Sequence, residues 1–115
     1  MNQEIRDLIQ RRRLQVLVHS CIYYELNSNI ITDEQWDKWA RELVQLQKDY
    51  PEESESVIWF NAFVDWDAST GAFLPLTDEW VVRKAKWLLL AYRRTVEKPV
   101  KTVTKQPKIV KRKLF

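Results

Sequence analysis

A single glycine in 115 residues, set beside six tryptophans, is the strongest constraint on this chain. Glycine reaches positive φ without steric cost, so a chain with one of them has little means of building many tight hairpins. Indole rings, meanwhile, need core or contact surface that accepts a large apolar body with one N–H donor. Long helices answer both demands. With 45% hydrophobic residues, a chain of this length can bury one domain-sized core without disulfides or metal. Cys21 is the sole cysteine and His19 the sole histidine, which removes a disulfide framework and any Cys/His cluster of zinc spacing. No apolar run approaches the roughly 18 to 20 residues that span a bilayer. The opening Met-Asn-Gln-Glu-Ile-Arg lacks the basic start and apolar stretch of a secretory signal. A cytoplasmic protein with no membrane partner is expected.

From Asn2 to about Leu26, apolar residues recur at spacings of three and four: Ile5, Leu8, Ile9, Val16 and Tyr23 in one set, Leu14, Leu17, Val18, Cys21 and Ile22 in another. This predicts a helix with a broad apolar face. Arg11, Arg12 and Arg13 interrupt the pattern. Consecutive helical side chains point about 100° apart, so at least one of these arginines must approach the buried face, where an acidic or phosphate partner is expected. Asn27 to Ile31 reads as a linker. Thr32 with Gln35 makes a capping-box pattern for a second helix, whose stripe is Trp36, Trp39/Ala40, Leu43, Leu46 and Tyr50. Pro51 stops it. The two helices form an antiparallel hairpin.

Residues 52 to 76 have no dominant period. Val57 to Val64 fits a short helix or a buried extended run, and Asp65 to Gly71 fits a turn-rich loop with two surface acids. Thr77 or Asp78 then caps a third helix with Val81, Ala85, Leu88/Leu89 and Tyr92 inward and Arg93 and Arg94 near its end. From Val96 the chain carries seven Lys or Arg and one acid, so its net charge of +3 conceals a net negative remainder. The domain is therefore expected to occupy residues 1–95, as a hairpin (1–51) and an aromatic segment with the third helix (52–95). Residues 96–115 form a basic tail of the kind that orders against a partner. The fold class is all-α.

The most specific signal is Tyr23-Tyr24 followed by Ile31-Thr32-Asp33-Glu34-Gln35-Trp36-Asp37, then Leu43, Leu46 and Tyr50-Pro51-Glu52. Over roughly residues 8 to 53 this resembles the first domain, Ia, of bacterial NAD-dependent DNA ligases. That family carries a Tyr-His or Tyr-Tyr pair, an Ile-Ser/Pro-Asp-x-x-Tyr-Asp helix start, spaced leucines and often a closing Pro-Glu. The resemblance implies a helical hairpin whose aromatic and carboxylate pocket holds the nicotinamide mononucleotide (NMN) half of NAD. It implies Tyr23, Asp33 and Asp37 as contact positions. Tyr24 stands where histidine is common, and Trp36 stands where tyrosine is usual, so a phenolic hydroxyl is replaced by an indole. A pyridinium ring stacks on an aromatic face, and carboxylates accept from amide and ribose hydroxyl donors. The bland alternative makes Asp33 and Asp37 helix-start acids and packs Tyr23 and Trp36 into the hairpin.

Ligase adenylation needs a lysine nucleophile in a Lys-x-Asp-Gly setting, and the one glycine here, Gly71, follows Ala68-Ser69-Thr70. No ligase chemistry, and no enzyme activity, is expected. His19 on an apolar stripe reads as a core residue. Asp65 to Gly71 lacks the glycine and closing glutamate of an EF-hand. In the tail, Lys105, Lys108, Lys111, Arg112 and Lys113 can neutralise nucleic-acid phosphates, and the closing Leu114-Phe115 offers Phe115 as a docking side chain. Two functions follow, neither requiring a cofactor for the fold. Either the pocket of Tyr23, Tyr24, Asp33, Trp36 and Asp37 binds NAD or NMN as a ligand, to sense, sequester or present it. Or the hairpin is a scaffold for interaction with a protein and through the tail with nucleic acid, as in small phage accessory or inhibitor proteins that act on a host protein. The second is slightly favoured.

Overall fold

A computed structural model describes residues 1–97. In chain order the elements are α1 (Gln3–Tyr24), α2 (Asp33–Asp49), α3 (Pro51–Glu55), α4 (Phe60–Phe63) and α5 (Glu79–Glu97), with no strand among the described residues. The all-α expectation is met. α5 continues through Val96 and Glu97, two residues into the segment expected to be tail. The basic residues from Lys98 onward, Lys105, Lys108, Lys111, Arg112, Lys113 and Phe115 among them, lie outside the described residues.

Each long helix begins where a side chain can take orphan amides. Asn2 Oδ1 accepts from the N–H of Glu4 at 2.9 Å and of Ile5 at 3.2 Å. Thr32 Oγ1 accepts from the N–H of Gln35 at 3.0 Å. Of the two candidates for the last helix, Asp78 is the cap, its Oδ1 taking the N–H of Trp80 at 2.9 Å and of Val81 at 3.2 Å. α1 closes at Asn27, which adopts φ 53°, a conformation asparagine tolerates better than most residues.

α1 and α2 pack antiparallel, in a register set by Arg12 Nε on Glu42 Oε1 at 3.0 Å and Trp36 Nε1 on Ser20 Oγ at 3.1 Å. Ile9, Val16, Leu17, Cys21 and Ile22 of α1 share one core with Trp36, Ala40 and Leu43 of α2. α5 lies along α1 and adds Val81, Ala85 and Leu89. Each fully buried large apolar side chain, such as Leu43 or Phe63, stabilises the fold by about 2 kcal/mol.

Three expectations need correction. Tyr50 does not continue the inward stripe of α2: it is exposed, at φ −131° and ψ 66°. Pro51 excludes it from helical geometry, so its side chain leaves the phase of Leu43 and Leu46. Pro51 also starts as well as stops, standing at the first position of α3, where its missing N–H costs nothing. Within 57–64 the short-helix alternative is the one found: a single helical turn, α4, follows Trp59 in the left-handed region at φ 69°.

The third correction concerns the arginine run. Arg11 is exposed, Arg12 half-buried and Arg13 wholly buried, the rotation expected of consecutive helical residues. Arg13 meets no acid or phosphate. Its Nη1 donates to the carbonyls of Val57 at 3.0 Å and Ile58 at 3.1 Å, and its Nη2 to Ser54 O at 3.1 Å and Ser54 Oγ at 2.6 Å. Nε donates to Gln47 Oε1 at 2.9 Å. The Ser54 carbonyl also accepts from the Val57 N–H at 3.3 Å, and the five-donor guanidinium adds a second donor there while serving the carbonyls of Val57 and Ile58 in the turn beyond α3. Desolvation lowers the Arg13 pKa to about 10, which keeps the group charged at neutral pH. Glu53 ties the same short helix to the chain start, its Oε2 accepting from the Asn2 N–H at 2.8 Å.

Candidate functional site

The hairpin register carries the last turn of α1 to the level of the first turns of α2. Trp36 bonds Ser20 and Trp39 lies against His19 with ring centroids 5.6 Å apart. Tyr23 and Tyr24, one turn beyond Ser20, therefore stand at the same end of the hairpin as the start of α2, which carries Asp33 and Asp37. Both tyrosines are partly exposed, and their rings meet edge to face with centroids 4.8 Å apart and planes at 86°. Asp33, the first residue of α2, is exposed. Asp37 is partly exposed and pairs with Arg41 one turn on, Oδ2 to Nε at 2.9 Å.

Trp36 belongs to a different layer. It is 4% exposed, and Trp66 meets it edge to face at 6.0 Å. Its ring is part of the packed floor beneath this end of the hairpin, and its position facing Ser20 is that of a core side chain. The two tyrosines and the two aspartates are thus at least partly exposed at the same end of the hairpin, where Trp36 is buried.

A loop that sequence reasoning left without a role braces this end. Tyr24 Oη and Thr70 Oγ1 are 3.1 Å apart, Trp66 Nε1 donates to Thr70 O at 2.8 Å, and Ala72 N–H donates to Thr70 Oγ1 at 3.1 Å. Gly71 follows. Its φ is not positive; the residues in that region are Asn27, Trp59 and Ala68. Gly71 is glycine because a Cβ there would overlap Ser20 Oγ and lie 2.9 Å from Ser20 Cβ. The signal was present in the sequence as the one glycine, but the close approach it permits is to a helix fifty residues away.

His19 and Cys21 are buried beneath the site. Desolvation lowers the His19 pKa to about 4, and its Nδ1 has no hydrogen-bond partner. Burial, reinforced by Glu25, raises the Cys21 thiol to about 11, far from a reactive thiolate at neutral pH. Among the described residues no group of three or more His, Cys, Asp or Glu is arranged to hold a metal ion, and no helix is long and apolar enough to cross a membrane.

Comparison with known proteins concerns the first half of the chain. Residues 2–56 match the family described as DNA ligase-like, N-terminal NAD+-binding domain. The DNA ligase of Thermotoga petrophila is 40% identical over 50 residues, 44% of this chain and 7% of that ligase. The DNA ligase of Coprothermobacter proteolyticus is 44% identical over 50 residues, again 44% of this chain and 8% of the ligase. That of Thermotoga maritima is 38% identical over 50 residues, with the same 44% and 7% covered. The chain thus spans under a tenth of the length of these curated relatives. No solved structure matches it. The matched residues run from the cap of α1 through α3, the unit that Arg13, Gln47 and Glu53 hold together, and over residues 2–56 this chain is similar to DNA ligase-like, N-terminal NAD+-binding domains.

Proposed function

We propose that this chain is a non-catalytic binding module for a nicotinamide nucleotide, taking the NMN half of NAD at the surface where Tyr23 and Tyr24 meet Asp33 and Asp37. The observation that supports this reading is the hairpin register, which puts the end of α1, with its edge-to-face tyrosine pair, and the start of α2, with Asp33 and Asp37, at one end of a segment matched to NAD+-binding domains. The residues suit the ligand. A cationic pyridinium is attracted to a tyrosine face and to carboxylates, and ribose hydroxyls and the carboxamide N–H donate to Asp33 and Asp37. Arg41, already ion-paired to Asp37 and 75% exposed, supplies the cation that a phosphate needs. Trp36 serves this site from below by fixing the position of the α2 start. The chain would sense, sequester or present the nucleotide.

Thermal denaturation with and without ligand tests the reading. Ligand at about 100 times its dissociation constant stabilises the native state by about 2.7 kcal/mol. A chain of this size should then melt roughly 10 °C higher with NMN. Tyr23→Ala and Asp33→Ala, both at partly or fully exposed positions, should melt normally alone and lose the shift. An unchanged melting temperature at millimolar NMN and NAD contradicts the reading. The other expectation, a phage-type accessory acting on a host protein, draws on exposed aromatic surface rather than on this end of the hairpin.

A further inference from the structure

α5 buries Val81, Ala85 and Leu89 and turns a second stripe outward. Steps of three and four residues lead from Trp80 through Arg83, Trp87 and Leu90 to Arg94, which places these five opposite the buried stripe. Trp87 is 61% exposed, Leu90 50% and Trp80 40%. Lys84 lies between the indoles, its Nζ 5.9 Å from the Trp80 centroid and 5.2 Å from that of Trp87. Two exposed tryptophans on one face are not accounted for by the packing of the core.

Charge decides what such a face suits. α5 carries Arg83, Lys84, Lys86, Arg93 and Arg94, and its acids are Glu79 and Glu97 at its two ends. From Lys98 to Phe115 the sequence adds seven Lys or Arg and no acid, directly following the helix. A second copy of the same face would bring the cations of α5 against each other across a two-fold axis. A polyanion is favoured. Aromatic faces interleaved with cations fit one kind in particular, because unpaired bases stack on rings while phosphates meet Lys and Arg; a duplex hides its base faces.

We propose that the outward face of α5 binds single-stranded nucleic acid, with Trp87 and Trp80 as stacking platforms and Arg83, Lys84 and Arg94 as phosphate contacts. This binding is independent of the nucleotide reading, which concerns a different surface.

The test is fluorescence anisotropy of the full chain with labelled oligo-dT and oligo-U, against unlabelled duplex and polyglutamate as competitors. The two single strands distinguish DNA from RNA, and tight binding of either supports the proposal. Affinity should fall more than about tenfold between 50 and 200 mM salt. Trp87→Ala should weaken binding about fivefold or more, with unchanged circular dichroism and melting temperature. Trp80→Ala/Trp87→Ala should abolish the preference for single strands over duplex. Affinity unaffected by Trp87→Ala overturns the proposal. So does displacement by polyglutamate as effective as by unlabelled oligonucleotide, which would assign the face to an acidic protein. A dimer in sedimentation that Trp87→Ala dissociates overturns it as well, by assigning the face to a second copy.

Discussion

Arg13 and Gln47 are joined across the hairpin, Nε to Oε1 at 2.9 Å, and Gln47 passes the connection on by donating Nε2 to the carbonyl of Phe63 at 3.1 Å. Together they hold the irregular segment 54–63 against two regular helices through side-chain donors instead of a backbone ladder. Phe60 and Phe63 flank the guanidinium with ring centroids 6.0 Å away, so its charge sits among aromatic faces as well as carbonyls.

Arg13→Ala should therefore be among the most damaging single substitutions. It strips partners from the buried carbonyls of Ser54 and Val57 and leaves a cavity, at an expected cost of roughly 3 to 5 kcal/mol. Arg13→Lys, with three donors and no planar fork, should recover only part of that. Urea unfolding of the three proteins checks this; a loss below about 1 kcal/mol for Arg13→Ala would show that the segment holds itself.

Gly71→Ala should destabilise by about 1 to 3 kcal/mol, because the added methyl overlaps Ser20 Oγ and Ser20 is itself fully buried. Ser20→Ala removes the oxygen that clashes and also the acceptor of the Trp36 N–H. In a double-mutant cycle the two substitutions should be non-additive, with the double variant more stable than the sum of the singles predicts. Strict additivity would mean that the Gly71 contact with Ser20 is relieved elsewhere.

Acid should weaken the fold in two stages. Native His19 stays neutral down to about 4, whereas the unfolded chain takes up a proton near the ordinary value of 6.5. Between those values the unfolded state binds more protons, so stability falls as pH falls from 6.5 to 4, by up to about 3 kcal/mol. Glu53, whose carboxyl is held below its ordinary value chiefly by the Asn2 N–H, has the same sign at lower pH: stability present above 4.5 is lost as its native form protonates. Unfolding measured at pH 7, 5.5 and 4 should show the first stage in the native sequence and a flatter profile in His19→Leu. An identical slope in the variant would assign the loss to other groups.

The long elements were legible because their causes are local. Asn2, Thr32 and Asp78 sit immediately before periodic apolar stripes, and Ile9, Val16, Leu17, Cys21 and Ile22 of the α1 stripes and Val81, Ala85 and Leu89 of the α5 stripe are buried, whereas Ile5, Leu8, Leu14, Tyr23 and Tyr92 are only partly so. The candidate site was legible to the extent that Tyr23, Tyr24, Asp33 and Asp37 share one end of the hairpin. Trp36 was legible as a residue of that motif but not as its floor, because its depth depends on Ser20 and Trp66 from elsewhere in the chain. α3 was not legible and α4 only as one of two alternatives, because bonds from Arg13 to carbonyls 41 to 45 residues distant shape the segment that includes them. The outward stripe of α5 was hidden for a related reason: six tryptophans in a sequence do not reveal which of them the core leaves out.

The most direct test of the nucleotide reading is calorimetric titration of NMN and NAD into the full chain, with Asp37→Ala and Tyr23→Ala alongside. Saturable binding at one site per chain, weakened at least tenfold in each variant, is the expected result. Absence of binding heat with a fully folded protein, at two temperatures so that a zero enthalpy is not mistaken for none, would contradict it and leave residues 2–56 as a ligase-derived scaffold that has lost its ligand.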